Sequence, residues 1–142
     1  GKDMNDGSTK IKSFNPLYGT NHKFNGWMDY FYVGNHLNSV GLTDLYFTLN
    51  YQKGKFSANV TPHFFKSAAD IYAGINKKSA NLGTEIDFSI GYKVANNINF
   101  SAGFSKMYAT ESMEILKLGD KDEPNTWSWV MVTFSPKLFS SK

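Results

Sequence analysis

Glu85-Ile-Asp-Phe-Ser-Ile-Gly-Tyr-Lys-Val-Ala-Asn-Asn-Ile-Asn-Phe-Ser-Ala-Gly-Phe-Ser105 is the stretch whose reading decides the fold. Ile86, Phe88, Ile90, Tyr92 and Val94 alternate with Glu85, Asp87, Ser89, Gly91 and Lys93. Ala95-Asn96-Asn97 supplies a turn, after which Ile98, Phe100, Ala102 and Phe104 alternate with Asn99, Ser101, Gly103 and Ser105. Successive side chains of a strand point to opposite faces, so a period of two on both arms predicts an antiparallel hairpin with one apolar and one polar face.

The same pattern occurs upstream. Leu45, Phe47, Leu49 and Tyr51 alternate with Asp44, Tyr46, Thr48 and Asn50, which predicts a strand over 42–51. A turn at 52–54 leads to a second arm, with Phe56, Ala58 and Val60 opposing Ser57, Asn59 and Thr61. A last strand is predicted over Thr126 to Phe134, with Val130, Val132 and Phe134 on one parity and Trp127, Trp129 and Met131 on the other. Glu111-Ser-Met-Glu-Ile-Leu-Lys117 has helical spacing and reads as a short loop helix. Residues 1–41 form a different region: a polar, turn-rich arm with Asp6-Gly7-Ser8, Asn15-Pro16 and Tyr18-Gly19, then an aromatic run, Phe24 to Tyr32, that suits either a strand or an ordered loop. The organisation expected is thus an arm over 1–41 and about five strands over 42–142.

The connections narrow the class. Tight turns at 52–54 and 95–97 alternate with long links near 65–83 and 108–125. That asymmetry belongs to outer-membrane barrels, whose periplasmic turns are short and extracellular loops long. The polar face is built of Ser, Asn, Gly and Thr with a few carboxylates, and small polar side chains suit a watered lumen. The pore-lining candidates are Asp44, Thr48, Asn50, Asn59, Thr61, Glu85, Asp87, Lys93, Asn99 and Ser101. The lipid-facing candidates are Leu45, Phe47, Leu49, Val60, Ile86, Phe88, Ile90, Ile98 and Phe100. Tyr51, Phe56 and Tyr92 fall near the short turns, where an interfacial aromatic girdle would lie. The expectation is an all-β, antiparallel, up-and-down membrane barrel with long extracellular loops. A soluble β-barrel or β-sandwich that binds a ligand is the alternative, since it alternates too. Five strands are fewer than the eight or so of the smallest single-chain membrane barrels. A membrane barrel therefore implies further strands, from a longer protein of which this is the C-terminal part or from other chains.

Composition is compatible with this reading. The 142 residues are 41% hydrophobic and 16% aromatic, too rich in aromatics for a disordered chain. The net charge is +3, and all 15 basic residues are Lys, scattered along the chain. Nucleic-acid binders cluster their bases and use Arg on phosphate and guanine, so nucleic acid is not an expected partner. There is no Cys, which removes disulfides and thiolate metal sites.

Several phrases resemble the C-terminal part of alginate-export-type outer-membrane porins of Bacteroidota. They are Phe14-Asn-Pro-Leu-Tyr-Gly-Thr-Asn-His-Lys-Phe-Asn-Gly-Trp-Met-Asp-Tyr-Phe-Tyr-Val-Gly34, Gly41-Leu-Thr-Asp-Leu-Tyr46, His63-Phe-Phe-Lys-Ser-Ala-Ala-Asp70, Leu82-Gly-Thr-Glu-Ile-Asp87, Ala102-Gly-Phe-Ser-Lys-Met-Tyr108 with Glu111-Ser-Met-Glu114, and Trp127-Ser-Trp-Val-Met-Val-Thr-Phe134 with Phe139. The resemblance implies a large antiparallel barrel in the outer membrane of a Gram-negative bacterium. It also implies outer-membrane lipid and the remaining barrel strands as partners. Its implied function is passive diffusion of a sugar or anionic polysaccharide solute, without enzymatic chemistry or a cofactor.

Residues able to do chemistry are few. His22 and Asp29 lie seven apart, as do His63 and Asp70, but no metal or nucleophile motif surrounds them. Glu85 and Asp87 share one strand face at a separation a glycosidase pair could use, but the sequence gives them no apolar pocket. Asp29, Asp70, Glu85 and Asp87 are the oxygen ligands from which a loop cation site would have to be built, and hydrogen-bonded loop structure is the commoner use of such residues. Aromatic rings between Phe24 and Tyr32 suit stacking on a sugar ring or, more commonly, packing of the loop against the rim.

Overall fold

The structure, a computed structural model, describes residues 1–14, 17–32 and 34–139; the Asn15-Pro16 turn lies outside these. Eight strands and one short helix are formed: β1 (Thr43–Tyr46), β2 (Leu49–Lys53), β3 (Phe56–Lys66), β4 (Tyr72–Ala73), β5 (Asn76–Lys77), β6 (Asn81–Ala95), β7 (Ile98–Ala109), α1 (Glu111–Lys117) and β8 (Thr126–Phe134). The main sheet is antiparallel throughout, in the order β1-β3-β6-β7-β8, with β2 also paired to β3. It is an up-and-down sheet with open edges, all-β apart from α1.

The long hairpin forms as its periodicity requires: Phe88 stands opposite Phe104, Tyr92 opposite Phe100, and Asp87 opposite Ser105. Asn96 and Asn97 make its turn. The last strand spans Thr126–Phe134 as expected, with Phe100 opposite Val132 and Gly103 opposite Trp129. Two expectations are corrected. The strand over 42–51 is broken at Phe47 and Thr48 into β1 and β2, both still on β3, and the following turn is Gly54-Lys55 rather than 52–54. Gly54 sits at φ +57, so the turn falls where the chain has a residue that tolerates that conformation. The aromatic run of the arm is irregular, not a strand.

Among the described residues, a small hydrophobic core sits at the long-loop end. Phe31 and Val40 of the arm meet Phe65, Leu82 and Met107 at the strand ends, with Ile71 from the β3–β6 link and Met113 from α1. Thr110 caps α1 by accepting a hydrogen bond from Met113 N, and Leu118 ends it in the left-handed conformation.

Beside that end the two faces are opposite in character, whereas towards the short turns both are open, Asn50, Lys93 and Asn99 as well as Tyr92 and Phe100. Leu45 and Val130 on the apolar face are 69% and 70% exposed, and Phe88 and Phe104 at its centre are 41% and 45% exposed. On the polar face Glu85 and Asp87 are 0% and 1% exposed. A soluble sheet buries its apolar side; here a carboxylate pair is buried and a field of Leu, Ile, Val and Phe is bare.

Candidate functional site

At the long-loop end the polar face is covered by the arm, and residues 22–31 make the cover. His22, Asn25, Gly26 and Asp29 all have positive φ (53°, 55°, 83° and 58°), so the segment turns repeatedly within eight residues. Asn and Asp accept that conformation more readily than most residues. His22 N donates to Asp29 Oδ1 at 2.7 Å, and His22 Nδ1 lies 2.7 Å from Trp27 O, which closes the segment on itself.

Two carboxylates of β6 hold this segment. Met28 N donates to Glu85 Oε1 at 2.9 Å and Trp27 N donates to Asp87 Oδ2 at 3.2 Å. Gly26 lies directly against Glu85: a Cβ at this position would stand 2.6 Å from Oε1, and φ is +83° besides. Ser105 Oγ donates to Asp87 Oδ1 at 2.5 Å from the neighbouring strand. His63 completes the cluster, with Nδ1 at 2.8 Å from Asp44 Oδ2 and Nε2 at 3.6 Å from Asp87 Oδ2. Asp44, His63, Asp87 and Ser105 thus form one buried polar chain across β1, β3, β6 and β7. Backbone N–H groups from a distant loop thus satisfy one oxygen of each carboxylate, while Glu85 Oε2 stays buried without a hydrogen bond among the described residues.

Aromatic rings extend the seam. The His22 and Trp127 rings stack at 4.4 Å, and Trp27 meets Trp129 edge-on at 5.9 Å. Trp129 lies across Gly103, where a side chain would leave it no space. Between the arm and strands β1 to β3 remains a cleft of about 320 Å³. Lys23, Phe24 and Trp27 form its arm side, and Tyr46, Thr48, Asn50, Asn59 and Thr61 its sheet side. A second cleft of about 430 Å³ lies at the rim within the arm, beside Phe24, Tyr32, His36 and Leu42. Burial holds the His36 imidazole below its ordinary pKa there.

The ten candidates expected on the polar face divide by position. Asp44, Asn59, Thr61 and Ser101 are half-buried, while Thr48, Asn50, Lys93 and Asn99 are exposed. The expectation that Glu85 and Asp87 meet water is corrected: they lie under the arm and serve as its acceptors. Of the apolar set, Leu45, Leu49, Ile86, Phe88 and Phe100 are exposed, and Val60, Ile90 and Ile98 are half-shielded by neighbours on the same face. Phe47 is exposed but falls in the strand break.

The four oxygen-bearing residues considered for a cation are dispersed. Asp29 pairs with His22 and Asp70 with Lys77, away from Glu85 and Asp87. No group of three or more His, Asp or Glu side chains suited to a metal occurs among the described residues. His63 pairs with Asp44, not with Asp70 seven residues on. Gly26, Met28, Ser105, Trp127 and Trp129 were not foreseen as site residues, and His63 and Trp27 were considered only for a metal or catalytic site and for ring stacking or loop packing. The signal for part of the set was present, because strand parity places His63 and Ser105 on the face of Glu85 and Asp87. No family model, curated protein or solved structure matches this chain.

Proposed function

We propose that this chain supplies membrane-spanning strands of an outer-membrane, porin-like channel through which a small or polysaccharide solute diffuses passively. The observation that carries the reading is the bare apolar face set against a polar face whose carboxylates, Glu85 and Asp87, are buried beneath the arm. Strands β3, β6, β7 and β8 contain 11, 15, 12 and 9 residues. A membrane strand needs about 9–11.

Aromatic rings mark both borders of the apolar field. Phe56 pairs with Tyr92, and Tyr92 with Phe100, near the short turns. Phe64 and Tyr108 both flank Thr84 near the long loops. Phe56 and Phe64 are separated by roughly 26 Å of strand, which a barrel tilt shortens to roughly 20 Å, comparable with the apolar band of an outer-membrane barrel. Lys106, on the same face beyond Phe104, rests its ammonium 4.9 Å from the Tyr108 ring at the border. The phrases that resemble alginate-export-type porins point the same way.

In lipid the free edges of β1, β2 and β8 must pair with further strands, because unpaired backbone groups are not tolerated there. A soluble ligand-binding sandwich would need a second layer on the Leu45–Phe88–Phe104 face, and these side chains are open instead. The test is the mass of the purified chain by light scattering with and without detergent. Detergent dependence, or assembly into a ring of several chains, is the expected result. A monodisperse monomer without detergent would overturn the reading.

A further inference from the structure

Resting on the channel reading, we propose that residues 22–28 are the restriction of the pore. The segment is folded inward and latched to the wall by Glu85 and Asp87, so that Lys23 becomes the charge a passing solute meets. Three observations converge. The segment lies across the polar face at the long-loop mouth and is fastened by backbone donors, from Trp27 and Met28, to carboxylates of β6 just inside the Thr84 border. The fastening depends on a glycine, since Gly26 alone allows the chain to approach Glu85 so closely. The open space that remains is the cleft between Lys23, Phe24 and Trp27 on one side and Tyr46, Asn50 and Asn59 on the other.

The electrostatic consequence follows from burial. The bare sheet would present Asp44, Glu85 and Asp87 to the lumen. With the arm in place, Glu85 and Asp87 are sealed, and Asp44 is paired with His63 with its side chain only 6% exposed. The cleft wall is otherwise hydroxyl, amide and aromatic, with the His63 imidazole held between Asp44 and Asp87, so among the described residues that line it the exposed Lys23 is the one side chain of permanent charge. Pores take their ion preference from the charges at the narrowest point. The wall alone would favour cations; the latched segment removes that preference and leaves a polar, weakly anion-favouring passage.

The experiment is reversal-potential and conductance measurement in planar bilayers under a KCl gradient, with the complete channel as assembled in the membrane. Lys23→Glu alters an exposed side chain outside the latch, so folding is preserved. It is expected to raise the cation-to-anion permeability ratio about twofold or more. Gly26→Val, which forces the segment off Glu85, is expected to raise both unit conductance and cation preference. If Lys23→Glu channels open normally with unchanged reversal potential, the restriction lies elsewhere and the proposal fails while the channel reading stands. A wild-type protein that inserts but never conducts overturns both.

Discussion

Asp87 illustrates how one side chain ties the sheet to the arm. It accepts from Ser105 Oγ, from Trp27 N and faces His63 Nε2, all while fully enclosed. Asp87→Ala strips an acceptor from two donors at once, and each buried donor left unpaired costs about 1–3 kcal/mol. Ser105→Ala leaves Trp27 N satisfied, so urea unfolding should show Asp87→Ala as the more damaging of the two; equal losses would mean that the contact to the arm contributes nothing. Lys117 gives a pH-dependent counterpart outside the strands. Burial pushes its ammonium down to about 8 from 10.5, although its Nζ donates to Asn35 O at 3.0 Å and lies 5.2 Å from the Phe31 ring. Below pH 8 the charge is present both in the folded and in the unfolded chain, and its burial penalty is complete. Between pH 8 and 10.5 the folded form gives up its proton first, so stability rises with pH. Protection factors of amides around Asn35, corrected for base-catalysed intrinsic exchange, should rise across that interval, and Lys117→Met should abolish the trend. The contacts of Asp87 with Ser105 and His63 were half-legible, because parity sets those side chains on one face. Its contact with Trp27 was not, for 60 residues separate the two and no local pattern encodes which loop covers which strand.

The elements were read best where a single periodicity governs them. Both arms of the β6–β7 hairpin, β8 and α1 follow directly from spacing, because a half-buried strand and a loop helix each impose their own repeat. The break at Phe47-Thr48 escaped that logic: alternation and register continue through it unaltered, and what interrupts the ladder is Pro62, which stands opposite Phe47 and has no N–H to donate. The arm escaped for a different reason, since its shape comes from positive-φ residues and long-range acceptors and it repeats nothing. α1 permits a quantitative check at this scale. Leu118 closes the helix at φ 56° with its side chain 92% exposed, so a bulky residue occupies a left-handed site and gains no burial in exchange. Leu118→Gly should stabilise the loop by about 0.5–1 kcal/mol. Thr110→Ala, which removes the N-cap acceptor for Met113 N, should cost about 1 kcal/mol. Thermal unfolding of the two variants measures both signs; a destabilising Leu118→Gly would mean that Leu118 packs against something beyond the helix.

At the scale of the molecule, the distribution of polarity decides between two physical worlds. In water, Leu45, Phe88, Phe104 and Val130 on one open sheet face would form an apolar patch far larger than a soluble monomer normally carries, and would drive association. In lipid the same face would need no cover, while the polar face would have to be kept from hydrocarbon by the arm and by a water-filled lumen. Phe88 separates these cases because it lies mid-strand, flanked by Val60 and Phe104 at the centre of the apolar field. If the face meets lipid, Phe88→Lys would place an ammonium near the bilayer midplane, where the cost in a membrane barrel is about 2–4 kcal/mol and falls towards the borders. The same substitution at Tyr108, near the long-loop border, should therefore cost about 0–1 kcal/mol. Unfolding titrations in lipid vesicles measure the difference between the two sites. A soluble sheet carries no such depth gradient, and in water a Lys on an open face is well solvated. Equal, small losses at Phe88 and Tyr108 would place the face in water, whereas a large loss confined to Phe88 would place it in lipid.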